Sequence, residues 1–343
     1  MNDVLLVRLD KLGDAIACVP LLEGLARKYP AARFHAVCSP RNMGVFSPGR
    51  VRTLNAVAGD FRSRLASARY DAAIVATDEV AGFAIARASG AARRVGFWHG
   101  FEKPFKSLWQ RMQLTDAVYR PATGRRAEHE VEALYRLAAA LGASLPAPSD
   151  PRVLREWLAL ERPADGELAG ALGIQVTAKL ASGGWGPSGL SRYFASALRA
   201  ASLQRCVVLC APADEMLARA MLERLETSPS GTPRVALLVS ASLSHWLGAI
   251  EGLSALVSPD SGAAHAAGML GVPVVDLFDG DRFELTARRW RPWAAPFRCL
   301  AKPPWQPGTE AALGAEVGAA IREVVAMRDP TGGGTSQSSI LIS

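Results

Sequence analysis

Cysteine is scarce in this chain, with five among 343 residues. The count is odd and no two cysteines have Cys-x-x-Cys spacing, which excludes a disulfide scaffold and argues against a structural zinc site. Cys206 and Cys210 stand four apart in an apolar run and read as buried core thiols. Long apolar runs are also missing. The longest near the start, Ala15 to Leu22, contains Pro20 and is flanked by Asp14 and Glu23, whereas a membrane span needs about 18 apolar residues or more. Arg8, Asp10, Lys11 and Asp14 interrupt the amino-terminal apolar residues, so they do not form a signal peptide. The expectation is a soluble cytoplasmic protein whose contact with a membrane, if any, is peripheral. Acidic residues are outnumbered, 32 Asp and Glu against 39 Lys and Arg, for a net charge of +7. Nucleic acid, an anionic membrane surface or a phosphorylated substrate are the partners such a balance permits.

Apolar residues make up 49% of the chain, enough for a sizeable core, and the length fits about two domains. The first half alternates strand and helix signals. Val4–Leu9, Phe34–Cys38, Ala72–Ala76 and Arg94–Phe97 read as strands. Ile16, Leu21, Leu22 and Leu25 share one face of a helix. Glu128–Leu141 is amphipathic, with Gly142 placed to end it. Residues 144–165 carry Pro146, Pro148, Pro151 and Pro163 and read as a linker or crossover. The alternation then restarts with strands over Leu172–Thr177, Cys206–Ala211, Val235–Val239, Ala255–Ser258 and Val272–Leu277. Strands alternating with helices predict βαβ units and a mostly parallel sheet in each half. The boundaries expected are 1–165 and 166–328, followed by a Gly-, Ser- and Thr-rich tail, 329–343, that reads as disordered.

Open parallel sheets bind ligands at the carboxyl ends of their strands, and three loops stand at such positions. The first is Arg8-Leu9-Asp10-Lys11-Leu12-Gly13-Asp14. Gly13 permits a tight turn, and Asp14 near a helix start can either accept a proton from a substrate hydroxyl or simply cap the helix. The second is Ser258-Pro259-Asp260-Ser261-Gly262-Ala263-Ala264-His265. Its amides and the helix dipole suit a phosphate or diphosphate, with His265 one turn in as a further donor. The alternative is a helix of small residues packed on its sheet, with His265 in the core. The third, Val176 to Pro187, offers Lys179 to neutralise a phosphate and the turn Ser182-Gly183-Gly184 as a source of backbone donors. The alternative there is a flexible loop anchored by Trp185.

Positive charge is concentrated. Between Arg87 and Arg126 lie nine Lys and Arg, including Arg94 and Lys103, against Glu102 and Asp116 alone. Phe97, Trp98, Phe101, Phe105, Trp109 and Tyr119 interleave with them. Such a segment suits an anionic amphiphile or a lipid headgroup surface, or is a solvated basic face with its aromatics packed beneath. No recognition motif for nucleic acid appears.

These residues together resemble glycosyltransferase family 9, the ADP-heptose:lipopolysaccharide heptosyltransferases. Val4 to Asp14, with Pro20 six residues on, looks like the family's opening strand, LGD turn and helix. Ser258-Pro259-Asp260-Ser261-Gly262 with His265, followed by Leu270 to Phe278, looks like its donor loop and next strand. Arg94-Val95-Gly96-Phe97 and the His129 helix fit its middle, and the resemblance spans residues 4 to 327. It implies an α/β GT-B fold, two Rossmann-like domains facing a central cleft, with acceptor bound by the amino-terminal domain and nucleotide sugar by the carboxy-terminal one. It implies Asp14 as general base of an inverting transfer. Lys179, Ser182, Asp260, Ser261, Gly262 and His265 would hold the donor, ADP-heptose, while Lys11, Gly13, Arg94 and Lys103 would serve the acceptor, an anionic glycolipid at the inner membrane surface. Neither metal nor cofactor is implied.

Two stretches depart from the family pattern. Gly183 and Gly184 stand before Trp185 where the family carries a lysine, and Asp279-Gly280-Asp281 follows Phe278 in place of Gly-Pro-Thr. These departures make a catalytically weak sugar-nucleotide-binding protein the competing expectation. A nicotinamide oxidoreductase finds no support, because no strand leads into a GxGxxG turn with an acidic residue about 20 positions on.

Overall fold

The computed structural model describes residues 1–102, 104–121, 128–161, 168–201, 205–226 and 234–327. Lys103, Arg125, Arg126 and the tail 329–343 lie outside the described residues. The chain divides into two compact units, Met1–Ala159 and Leu160–Ser343.

In the first unit β1 (Asp3–Arg8), β2 (Arg33–Cys38), β3 (Val51–Asn55), β4 (Ala72–Val75), β5 (Arg93–Trp98) and β6 (Asp116–Tyr119) form one sheet in the order β3-β2-β1-β4-β5-β6. Every pairing is parallel, with Val4 opposite both Phe34 and Ala72. In the second unit β7 (Leu172–Gln175), β8 (Arg205–Cys210), β9 (Arg234–Val239), β10 (Ala255–Pro259), β11 (Val274–Asp279) and β12 (Phe297–Lys302) follow the order β12-β11-β10-β7-β8-β9, again all parallel. Read from its own first strand, the second sheet repeats the order of the first. It is the doubly wound arrangement, in which helices cover both faces and central strands become continuous apolar runs. β1 shows the effect, since Val4, Leu5, Leu6 and Val7 are all fully buried.

The helix read over Glu128–Leu141 runs from Glu130 to Ala140. Gly142 ends it in the left-handed region at φ 95°. Its amide donates to Ala139 O (2.8 Å) and the Ala143 amide to Ala138 O (3.1 Å), the pairing that satisfies the last carbonyls of a helix. Residues 144–161 are not an extended linker. A short helix, Pro151–Leu154, is followed by Trp157, whose buried ring packs edge-on to Phe34 and whose Nε1 donates to Glu23 Oε2 at 2.9 Å. Apolar Leu154, Trp157 and Leu158 bury themselves against the first unit despite the prolines around them. All five cysteines are buried free thiols.

Candidate active site

In a doubly wound sheet, ligands bind beyond the carboxyl ends of the strands where the strand order reverses. That point lies between β1 and β4 in the first unit and between β7 and β10 in the second.

Arg8 closes β1 and is buried, and a buried guanidinium requires anionic or carbonyl partners. Its Nη2 lies 2.8 Å from Asp14 Oδ1 and its Nε 3.3 Å from Asp10 Oδ2, while Nη1 donates to Ala76 O. The other Asp14 oxygen accepts the Lys11 amide at 3.1 Å. Asp14 sits in the first turn of the helix Leu12–Ile16 and reaches back to the residue that precedes it, as in half of a capping box. The capping and catalytic readings thus describe one carboxylate, oriented by a cation on one oxygen and an amide on the other. Gly13 is buried in the turn and Lys11 is exposed at its start. Asn42, fully buried beyond β2, donates from Nδ2 to Arg8 O (3.0 Å) and Asp10 O (3.2 Å), and so fixes the loop's path.

Asp78 follows β4, and its Oδ1 lies 3.2 Å from Nε2 of His99, which follows β5. The hydrogen bond to His99 holds the Asp78 carboxyl far below its ordinary range, at about 2. Burial pushes Asp10 upward, against the pull of Arg8. Asn42, Asp78 and His99 belong to no motif, and only the shared carboxyl rim of four strands brings them to this place. Arg94 is not brought there. It lies near the start of β5, toward the opposite edge of the sheet, and its guanidinium donates to Gln113 O and Ala91 O, each at 2.9 Å.

In the second unit the loops after β7 and β10 are tied together. Lys179 Nζ donates to Asp260 O at 2.6 Å and pairs with the Asp260 carboxylate. Ser261 caps the helix Gly262–Leu270, accepting from the Ala263 amide at 3.2 Å and sharing a 2.9 Å hydrogen bond with Ser258. The amides of such a first turn and the helix dipole favour an anion. His265 is buried, its ring edge-on to Trp290 at 5.7 Å. Ser182 Oγ lies 2.7 Å from Lys179 O and 3.0 Å from Asp279 Oδ1, and its one hydroxyl proton can go to either. The loop is anchored rather than loose, because Trp185 is buried in the core and its Nε1 donates to Pro303 O at 2.8 Å.

Lys302 is a residue that motif reading does not find. It ends β12, is buried, and donates from Nζ to Ser182 O and Oγ (2.8 Å each) and Leu180 O (3.2 Å), with Asp279 Oδ1 at 3.3 Å. Burial lowers its pKa, and Asp279 opposes that shift. The departure at Asp279 therefore has a partner in the fold. Among the described residues no group of three or more His, Cys, Asp or Glu is placed to hold a metal ion.

Comparison with solved structures places this architecture. The chain superposes on a glycosyl transferase family 9 protein from Veillonella parvula (TM-score 0.70, 16% identity, 95% of this chain and 98% of that one). It superposes on E. coli heptosyltransferase WaaC with ADP (TM-score 0.70, 20% identity, 95% and 99%). It also superposes on E. coli ADP-heptose lps heptosyltransferase II (TM-score 0.66, 16% identity, 94% and 99%). No curated protein sequence matches it significantly. Two parallel six-stranded sheets with interleaved helices, shared with these structures, are the GT-B glycosyltransferase architecture. Residues 59–310, well over half of the chain, match the model of glycosyltransferase family 9 (heptosyltransferase), and the chain belongs to that family.

Proposed function

We propose that this glycosyltransferase moves a heptose or closely related sugar, with inversion, from a nucleotide-diphosphate donor to the core of a lipopolysaccharide or another anionic surface glycan. ADP-heptose is the first donor to test, because structures of the related WaaC carry ADP and ADP-2-deoxy-2-fluoro heptose. The observation that carries the reading is the Asp14 carboxylate, set at the carboxyl end of β1 by Arg8 and the Lys11 amide. In this reading the acceptor oxygen attacks the anomeric carbon as Asp14 takes its proton. The bond from that carbon to the diphosphate oxygen breaks, and its electron pair leaves with the nucleoside diphosphate. Lys179, Ser182 and the first turn at Ser261 and Gly262 offset the charge that develops there, with Asp260 shaping the loop and His265 packed behind it. Lys11 and Gly13 border the acceptor, and the reaction so written calls for no metal or cofactor. The protein would work on the cytoplasmic side of the inner membrane.

Asp14→Ala tests this directly. Transfer from ADP-heptose should fall at least about a hundredfold, the usual scale for loss of a general base, while calorimetry shows unchanged donor binding. Full turnover in the variant would remove Asp14 from the role.

A second reading rests on the engagement of Lys179 by Asp260 and the presence of Asp279 beside Ser182. Negative charge there weakens diphosphate binding, as in a sugar-nucleotide-binding protein of low activity that acts through partners. A measurable nucleotide-sugar affinity without transfer to any glycan acceptor would favour it.

A further inference from the structure

The amino ends of β1, β2 and β3 border a cavity of about 590 Å³, at the opposite end of the first sheet from Asp14. Along β1 the two ends stand about 17 Å apart, at about 3.3 Å per residue, so a small molecule bound here does not reach the Asp14 carboxylate. Arginine dominates the wall. Arg33 opens β2, Arg50 and Arg52 flank the first residue of β3, and Arg69 lies just before β4. Two of these are committed. Arg33 forks onto Asp3, with Nε 2.9 Å from Oδ1 and Nη2 2.6 Å from Oδ2. Arg50 pairs with Glu156 and lies over the Trp157 ring at 5.2 Å. Arg52 and Arg69 are exposed, and neither guanidinium has a hydrogen bond or ion pair among the described residues. The acids nearby are spent. Asp3 is buried and also lies 3.1 Å from His35 Nε2, while Asp71 accepts the amides of Asn2 and Asp3. Behind His35, the ring of Tyr70 stands edge-on to the imidazole at 5.2 Å, and its buried hydroxyl has no hydrogen-bond partner among the described residues. Arg52 is near enough to that hydroxyl to offset part of the rise in pKa that burial causes.

Even with Asp3, Glu156 and Asp71 all counted, guanidinium outnumbers carboxylate around this cavity, and the excess sits on Arg52 and Arg69. A guanidinium is a planar fork of N–H donors that matches the oxygens of a carboxylate or phosphate in pairs. A carboxylate has oxygens for one such fork and carries one charge. A phosphate monoester has three terminal oxygens and close to two charges near pH 7, which suits two free forks. The cavity's size bears on the rest of the ligand. It falls within the range of small-molecule sites and equals about twenty waters at about 30 Å³ each, far more than a bare phosphate fills. Phe34 and Val51 add apolar wall against which the body of an ester can lie. We propose that this cavity is a second ligand site, for a small phosphate monoester, with Arg52 and Arg69 on the phosphate and with Arg33 and Arg50 fixed in the wall by Asp3 and Glu156. The site is built wholly within the first unit and takes no part in the proposed transfer.

The test is titration calorimetry of the full chain at constant ionic strength, with glucose 1-phosphate and inorganic phosphate as probes. The wild type should take up the ester with a Kd of about a millimolar or tighter, and inorganic phosphate more weakly. Arg52→Gln with Arg69→Gln should weaken uptake of the ester at least about tenfold. The melting temperature without ligand should be unchanged, since neither guanidinium has a bond to lose. Arg41→Gln with Arg62→Gln removes the same charge from exposed positions outside the cavity and should leave the affinity as it was. Lys179→Met, in the loop proposed for the donor, should leave it as well. Four results would overturn the proposal. They are a wild type that binds neither probe, inorganic phosphate held as tightly as the ester, and a control pair that weakens uptake as much as the cavity pair, which would reduce the effect to net charge. The fourth is uptake lost in Lys179→Met and kept in the cavity pair, which would move the ester to the loops of the second unit.

Discussion

Arg8 and Asp14, the last residue of one strand and a first-turn residue of the next helix, are joined at 2.8 Å through a guanidinium almost wholly withdrawn from water. The same guanidinium reaches Asp10 and the Ala76 carbonyl, so one cation ties the β1 loop to the end of β4. The carboxylate proposed as base cannot swing freely while that cation stands.

Replacing Arg8 with Met should therefore strike stability and rate together. Asp10 and Asp14 would be left close to each other with no cation between them, at a cost of about 3 kcal/mol, visible as a lower urea midpoint. Transfer should fall well beyond the loss of folded protein, and Arg8→Lys should restore part of the stability but less of the rate, because an ammonium cannot reach three partners in a fixed fork.

Lys302 holds the turn at Leu180–Ser182 through three oxygens of that turn. In Lys302→Met the turn loses its tether and Asp279 loses its counter-charge. Nucleotide-sugar affinity should drop about tenfold, or roughly 1.4 kcal/mol, by calorimetry. Unchanged affinity would show that the turn does not contribute to donor binding.

Asp276 lies in β11, fully buried, with neither carboxyl oxygen partnered among the described residues. Burial, with Asp260 adding to it, raises its pKa well above the ordinary value. The folded state then holds this proton to higher pH than the unfolded chain does, so the residue costs nothing below about pH 4 and costs progressively more above it. Asp276→Asn should leave the denaturation midpoint unchanged near pH 4 and raise it near pH 8, by an amount on the scale of an unpaired buried polar group, about 1–3 kcal/mol. A gain of equal size at both pH values would assign the effect to packing instead.

The helix Thr309–Ala326 packs on the helix Pro187–Ala201 at Gly314 and Gly318. A Cβ on Gly318 would lie 2.3 Å from the Ala200 Cβ and 2.9 Å from Ala197 O, neither of which can yield without a backbone shift. Gly318→Val should cost at least about 2 kcal/mol in thermal or chemical denaturation, although glycine is itself a poor helix former.

What the amino-acid sequence reveals of this fold follows burial. β1 and β10 are buried on both faces, and their apolar stretches Val4–Val7 and Ala255–Val257 stand out in the sequence. β3, β6 and β12 escape sequence reading, and each is an edge of its sheet. An edge strand has one neighbour and mixed exposure, so Val51–Asn55 is broken by polar residues and Asp116–Tyr119 is short and only partly buried, and neither stands out. The same division holds in the two sites. The turns at Gly13-Asp14 and Asp260-Ser261-Gly262 are contiguous and so legible. In the first unit Asn42 and the Asp78–His99 pair follow three different strands, and in the second Lys302 ends β12, so what each of them meets depends on the strand order of its own sheet.

Because both sheets are wholly parallel, each unit sorts its connections into two margins. Those leaving the strands carry the candidate site residues, Asp14 and Asp78 in the first unit and Lys179 and Asp260 in the second, while those re-entering them form the opposite margin. Substitutions can accumulate on the first margin without disturbing the strand pairing that defines the body. Relatives at 16–20% identity that still superpose over nearly their whole length are what such a separation permits, with sugar preference free to diverge while the scaffold is inherited intact.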